Sequence, residues 1–346
     1  MKKITYVFLL MLVTILVFTS CATSVATQYM VPATYDMSSY RNLAIVSATP
    51  FRFKAYDVPN PIVRDMSGTS PIKVYSGYSL NSEKEMSEYL TSKVVAEANR
   101  TSYFTTLNPA SADSLINRPN ALVDRGYEAL LTMWTEYIDI EEYISSREEK
   151  TLIQPEVIGD PVEEVITLVY SLEQKVSIQF GWEVKDLKTN AVLGSGTFRD
   201  SQSDTTKLNT EGNSTIYAPR LQPVMNSLAS RFSSTIFSQL VPTTKTQYIT
   251  LMKNDPKNNR AEVAYEYVKN GNMKDALDVF ENEWNKRDHI PSAYNAALIL
   301  EALNQRSDAI KLLEKVYSQS GNTKIRTLLQ GMKSRLSSTN QAEKQL

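Results

Sequence analysis

Between Val176 and Val184 the apolar residues alternate strictly. Val176, Ile178, Phe180, Trp182 and Val184 fall on one side, and Ser177, Gln179, Gly181 and Glu183 on the other. A period of two marks a strand with one buried face, and such a face requires a covering layer. The alternation ends a longer extended segment, Val165 to Val184. Asp186-Leu187-Lys188-Thr189-Asn190 then supplies turn chemistry, and Ala191 to Phe198 returns as the partner strand. Leu43 to Val46, Tyr103 to Leu107 and Ala129 to Ile144 read as further strands. Two helices supply the cover. Ser82-Glu83-Lys84-Glu85 has the form of a capping box, and Met86, Tyr89, Leu90, Val94 and Ala98 follow at helical spacing to about Asn99. Pro219 and Pro223 open the second, whose apolar face is Leu221, Met225, Leu228, Phe232, Ile236 and Leu240, closed by Pro242. The expected class is α+β, a mixed sheet with helices on one face, over residues 41–245. The Pro- and Gly-rich stretch Pro50 to Ser79 shows no periodicity and reads as a long loop, either functional or a surface insertion.

Beyond about Lys245 the strand signal stops and helical pattern takes over. Ala264, Tyr267, Gly271, Ala276, Leu277 and Phe280 are matched 33 residues later by Ala297, Leu300, Asn304, Ala309, Ile310 and Leu313. This pattern, over about 257–319, resembles tetratricopeptide repeats, although Glu283 stands where that family usually has Ala. Ile325, Leu328, Leu329, Met332 and Leu336 give a fifth, capping helix. The all-α repeat domain is expected at 246–337, followed by a polar, disordered tail at 338–346. Two repeats and a cap fall short of the roughly three such arrays need, so they are expected to pack on the α+β domain, another subunit or a partner. The resemblance implies binding through a concave helical face. Tyr265, Lys269, Asn295 and Ile299 would line it, with Asn295 holding an extended peptide backbone.

The chain's single cysteine is Cys21. Lys2 and Lys3, the apolar run Ile4 to Phe18, and then Thr19-Ser20 form the three regions of a secretory signal, and the run is short for a bilayer span. Phe18-Thr19-Ser20-Cys21 resembles a relaxed bacterial lipobox. That implies a signal peptide at 1–20, cleavage before Cys21 and acylation (palmitate among the chains) of its sulfur and new N-terminus; an ordinary signal with a chance cysteine is the alternative. Ala22 favours the outer membrane. Residues 21–40, small and polar, are expected to form a tether. The mature chain would carry 35 basic and 38 acidic side chains, with no polybasic run to assist the lipid. The expected location is the bacterial outer membrane, facing the periplasm.

Tyr35-Asp36-Met37-Ser38, leading through Tyr40-Arg41-Asn42 into Leu43 to Val46, is similar to the mature start of several envelope lipoproteins. So are the Val184 to Leu193 hairpin and the closing Leu240-Val241-Pro242. The group includes the curli-secretion and penicillin-binding-protein-activator lipoproteins, and the resemblance implies an anticodon-binding-like fold over about 35–245. Asn190 replaces the Gly usual in that turn, and Asn tolerates the left-handed conformation too.

Catalytic chemistry finds little footing. One Cys and one His, His289, cannot make a zinc site, a disulfide framework or an iron–sulfur cluster. A net charge of −1 removes the electrostatic reason to expect nucleic acid. A Ser/His/Asp triad would depend on His289, in the turn between the helical repeats. Gly194-Ser195-Gly196 lies in a strand with no helix after it, so it is no dinucleotide loop. Residues 136–164 carry ten acidic side chains against Arg147 and Lys150, a solvated loop or else a cation or docking face. Glu136 or Glu142 could serve a glycosidase, which needs two carboxylates, with Trp134 and Trp182 stacking on sugar or filling a core. The expectation is a non-enzyme without cofactor or metal, a protein-binding or assembly module of the envelope. Its partners would be the membrane, through the lipid, and other envelope proteins, with a homo-oligomer possible. The alternatives are a subunit of an oligomeric curli-type secretion channel and a glycan-active envelope enzyme.

Overall fold

The computed structural model describes residues 23–50, 62–64, 72–153, 163–209 and 215–346, so the signal segment and Cys21 lie outside the described residues. The chain forms two compact units: residues 33–241 make one, and the segment before residue 33 joins 242–346 to make the other. β1 (Ser24–Val31) belongs to the second, helical unit.

The α+β unit is built on a five-stranded mixed sheet of β2 (Asn42–Ile45), β5 (Thr105–Leu107), β6 (Ala129–Ile153), β7 (Glu163–Asp186) and β8 (Val192–Lys207), in the order β5-β2-β6-β7-β8. β2 runs parallel to both neighbours, and β6, β7 and β8 form an antiparallel meander. The alternating row Val176 to Val184 is buried. It packs under α1 (Leu80–Thr101) and α4 (Gln222–Leu240), which contribute Met86, Leu90, Val94, Met225, Leu228 and Phe232 to one core. Phe180 stacks on Phe232 at 4.8 Å between centroids. Full burial of each large apolar side chain here contributes about 1.5–3 kcal/mol. The helix start lies earlier than the sequence reading: Ser79 is the N-cap, and Ser82 rather than Glu85 closes the box. In the β7–β8 turn Asn190 adopts φ +56°, and Asp186 accepts hydrogen bonds from the Lys188 and Thr189 amides. Those amides, Thr189's first, hold the Asp186 carboxyl below its usual pKa.

Two short helices absent from the sequence reading, α2 (Pro109–Leu115) and α3 (Pro119–Asp124), place Ala112, Leu115 and Leu122 against Ala44, Val46 and Leu187 in a separate small core. A three-stranded sheet, β3 (Ile62–Arg64), β4 (Ile72–Tyr75) and β9 (Thr215–Tyr217), replaces part of the loop expected between Pro50 and Ser79. Strands of three and four residues are too short to show a period, and β4 finds its parallel partner β9 some 140 residues on. The rest of that stretch, 51–61 and 65–71, lies outside the described residues.

In the helical unit β10 (Thr243–Thr250) pairs antiparallel with β1, Ser24 opposite Thr250 and Val31 opposite Thr243. The expected tether is therefore corrected over 24–31: Thr- and Val-rich segments form strands when a partner exists, and this partner is far away in sequence. Five helices follow: α5 (Glu262–Lys269), α6 (Met273–Arg287), α7 (Ile290–Ala302), α8 (Arg306–Ser320) and α9 (Thr323–Gln345). The repeat-related positions behave alike. Ala264 and Ala297, Ala276 and Ala309, Phe280 and Leu313 are all fully buried. Gly271 and Asn304, between paired helices, both take the left-handed conformation, φ +79° and +63°. Glu283 is buried with partners, accepting from Asn258 Nδ2 at 2.8 Å and pairing with Arg287 at 3.2 Å. The expected disordered tail is also corrected, because α9 runs through it. Thr339, Ala342 and Gln345 are buried at helical spacing, and Thr339 Oγ1 accepts the Met30 amide of β1 at 3.2 Å.

Candidate functional site

Asn295 sits on α7 and Tyr265 on α5, at corresponding faces of the two helical hairpins. The structure brings them together around the backbone of Met252, just past β10. Asn295 Oδ1 accepts from the Met252 amide at 2.7 Å, and its Nδ2 donates to the Met252 carbonyl at 3.1 Å and to Tyr265 Oη at 2.9 Å. Tyr265 donates to the same carbonyl at 2.6 Å. Asn295 is thus bonded to the chain's own backbone, not left open to a partner's. Ile299 is fully buried as well, in the core that includes Val25 of β1. Lys269 stands apart, exposed and paired with Glu266. Desolvation pushes the Tyr265 hydroxyl up to about 12, opposed by the hydrogen bond from Asn295.

Beside this clamp opens a cleft of about 1150 Å³. Its walls are β10 with the segment to Pro256, the start of α7, and the first half of α9; Ile249, Leu251, Pro291, Tyr294 and Leu328 give it an apolar floor. Burial raises the Tyr294 pKa, while Arg335 opposes the shift. Arg335 forms a bidentate pair with Glu301, 2.7 Å on each arm, and both are nearly inaccessible. His289 caps α7. Its Nε2 lies 3.0 Å from the Pro256 carbonyl, which can only accept, so Nε2 carries the proton and Nδ1 accepts the Ser292 hydroxyl at 2.6 Å. Ser292 is fully buried, so this pair ties the loop to the helix and presents no nucleophile to the cleft.

The two carboxylates considered for a glycosidase are engaged in structure. Glu142 accepts from Ser76 Oγ, the Gly77 amide at 3.1 Å and Gln174 Nε2 at 2.7 Å. Glu136 is the extra residue where the β6–β7 register shifts between Thr135 and Tyr137, and it accepts from Trp134 Nε1 at 3.2 Å and from Gln179. Trp182 is core, edge-on to Tyr35 at 5.7 Å. Trp134 lies flat over Gly181, where a Cβ would come within 2.4 Å of the indole. Among the described residues no group of three or more His, Cys, Asp or Glu could hold a metal, and no helix is long and apolar enough to cross a membrane.

No family model matches the chain. No curated protein matches it either. Among solved structures, it is similar to the PelC dodecamer protein of Paraburkholderia phytofirmans, with 13% identity over 62% of this chain and 96% of that one, at a TM-score of 0.24. It is also similar to a homologue of the neuraminyllactose-binding hemagglutinin from Helicobacter pylori, with 10% identity over 58% of this chain and 86% of that one, TM-score 0.30. A third is lipoprotein GNA1162 of Neisseria meningitidis, with 9% identity over 57% and 97%, TM-score 0.25. Likeness at this level assigns no function to the chain.

Sequence reasoning gave Asn295 and Tyr265 to a partner, where the structure bonds both to Met252, and it missed the cleft. The available signal was the pair Ser24–Val31 and Thr243–Thr250, the second with four threonines: each alternates weakly alone, and together they make a ribbon.

Proposed function

We propose that this chain is a lipoprotein of the bacterial cell envelope, acylated at Cys21, that serves as a protein-binding or assembly module and carries out no catalysis. The observation that carries the reading is how closely a strand follows the cysteine. β1 starts at Ser24, three residues after the cysteine that ends the signal-like segment. A chain cleaved before Cys21 would thus keep the whole of β1 and its pairing with β10. Ala22 favours the outer membrane with the folded units in the periplasm, and the paired helical hairpins of 257–319 are tetratricopeptide-like in their buried small residues. With Asn295 and Tyr265 bonded to Met252 and Ile299 in the core, partners would meet the exposed side of β10. Crosslinking in intact cells, followed by mass spectrometry of peptides joined to β10, residues 243–250, tests this. Envelope proteins recovered there support the module, and turnover of a glycan by the purified protein contradicts it.

A second reading, a subunit of an oligomeric assembly such as a secretion channel, is favoured by the β6–β7 hairpin. The buried row of β7 continues past Leu172 into Leu168 and Ile166, which are 47% and 56% exposed. An apolar row that continues a core face suits contact with another copy. Electron microscopy of detergent-extracted protein tests it: rings support the oligomer, and a monomer by sedimentation removes it.

A further inference from the structure

The mature chain has no polybasic run, yet the fold assembles a basic rim at the point where the anchor enters. The Leu251 amide donates to the Thr23 carbonyl at 2.9 Å, so Thr23 lies against the wall of the cleft. Cys21 is two residues from Thr23, and two residues reach at most about 7 Å. Lys253 and Lys324 line this cleft, and Lys257 and Arg260 line a smaller adjacent cavity of about 500 Å³ that shares Pro256, Arg287 and His289 with it. Lys253, Lys257 and Arg260 come from the segment after β10 and Lys324 from the start of α9, with Arg287 beside them at the end of α6. All are exposed. Asp255 and Asp288 are the acidic side chains in the same walls, and Glu283 pairs with Arg287. Lys253, Lys257, Arg260 and Lys324 make no ion pair among the described residues.

We infer that this rim seats the helical unit on an anionic bilayer surface, as a second attachment beside the acyl chains. The inference rests on acylation of Cys21, which holds this end of the unit within reach of headgroups. The occupant follows from two facts together: the charge is complementary to anionic lipid, and the chain between anchor and rim is too short to let the unit stand away from the membrane. Acyl chains hold the polypeptide to the bilayer at one point, and each Lys or Arg near an anionic surface adds about 1 kcal/mol that orients what they hold. The cluster here is conformational, made by three separate segments.

The test uses the lipidated mature protein in vesicles of phosphatidylethanolamine alone and in vesicles that also contain phosphatidylglycerol, with lysine acetylation timed by mass spectrometry. Lys253, Lys257 and Lys324 should react roughly fivefold more slowly on the anionic vesicles, the equivalent of about 1 kcal/mol per surface cation. Lys269 and Lys274, at the far end of the α5–α6 hairpin about 20 Å along α6 from Arg287, should not change. The difference should vanish in 1 M salt, where the screening length is about 3 Å. Equal rates on both vesicles, or equal slowing at Lys269 and Lys274, overturn the seating. The mass of the N-terminal peptide separates the two failures: an acylated Cys21 without selective protection removes the rim and leaves the anchor, and an unacylated Cys21 removes the anchor itself.

Discussion

Replacing Asn295 with Ala should destabilise the helical unit rather than trim a partner's affinity. The side chain makes three hydrogen bonds, two of them to one backbone residue, Met252, and is itself fully buried. Each net hydrogen bond contributes about 0.5–1.5 kcal/mol, and a buried group left without a partner costs about 1–3 kcal/mol. Met252 is half-buried, so water can satisfy part of what Asn295 abandons, which puts the loss at about 2–4 kcal/mol. For a unit of this size that corresponds to a fall of roughly 8–16 °C in midpoint. Hydrogen exchange on the whole mature chain reads the effect in place: peptides spanning 249–256 and α5 should lose protection, while those from β7 and α4 should not. Asn295→Asp keeps an acceptor for the Met252 amide but loses both donor bonds, and it should also destabilise. If Asn295→Ala melts within about 0.5 kcal/mol of the parent, with 249–256 still protected, the clamp does not hold the ribbon and the argument fails.

Other substitutions probe the same physics. Arg335→Met or Glu301→Leu alone should each cost about 3–5 kcal/mol, since either leaves a buried charge stripped of its partner; the double variant Arg335→Met/Glu301→Leu should recover most of it in a denaturant double-mutant cycle. Gly181→Ala drives a Cβ to 2.4 Å from Trp134 and should cost about 1–3 kcal/mol, with a shift in tryptophan emission as the indole moves. The raised Tyr265 pKa sets a sign: the folded state keeps its proton where the unfolded chain loses it, so the stability is present below pH 10 and is lost as pH climbs toward 12. Tyr265→Phe should remove that alkaline loss in pH-dependent melts.

Where a single segment carries its own period, the fold could be read from sequence. The Val176 to Val184 row, the Met86 to Ala98 face and the Met225 to Leu240 face all entered the core as spaced, and Asn190 took the left-handed turn. Elements that exist only through distant partners stayed hidden. β1 and β10 are weak strands apart, β4 needed β9, and residues 338–345 looked like a polar tail because their buried face is Thr339, Ala342 and Gln345 rather than large apolar residues. The basic rim was hidden for the same reason, its lysines lying in segments separated by helices. Asn295 was legible as a backbone-holding residue, but the sequence offered no way to see that the backbone was Met252.

The most direct test of the account is the mass of the mature N-terminal peptide from the membrane fraction of cells expressing the full chain. The account predicts a chain that begins at Cys21 and carries diacylglyceryl on its sulfur, with Thr23 and the strand from Ser24 following at once. A chain that begins elsewhere, or a free Cys21 thiol on protein recovered in the soluble fraction, would contradict it.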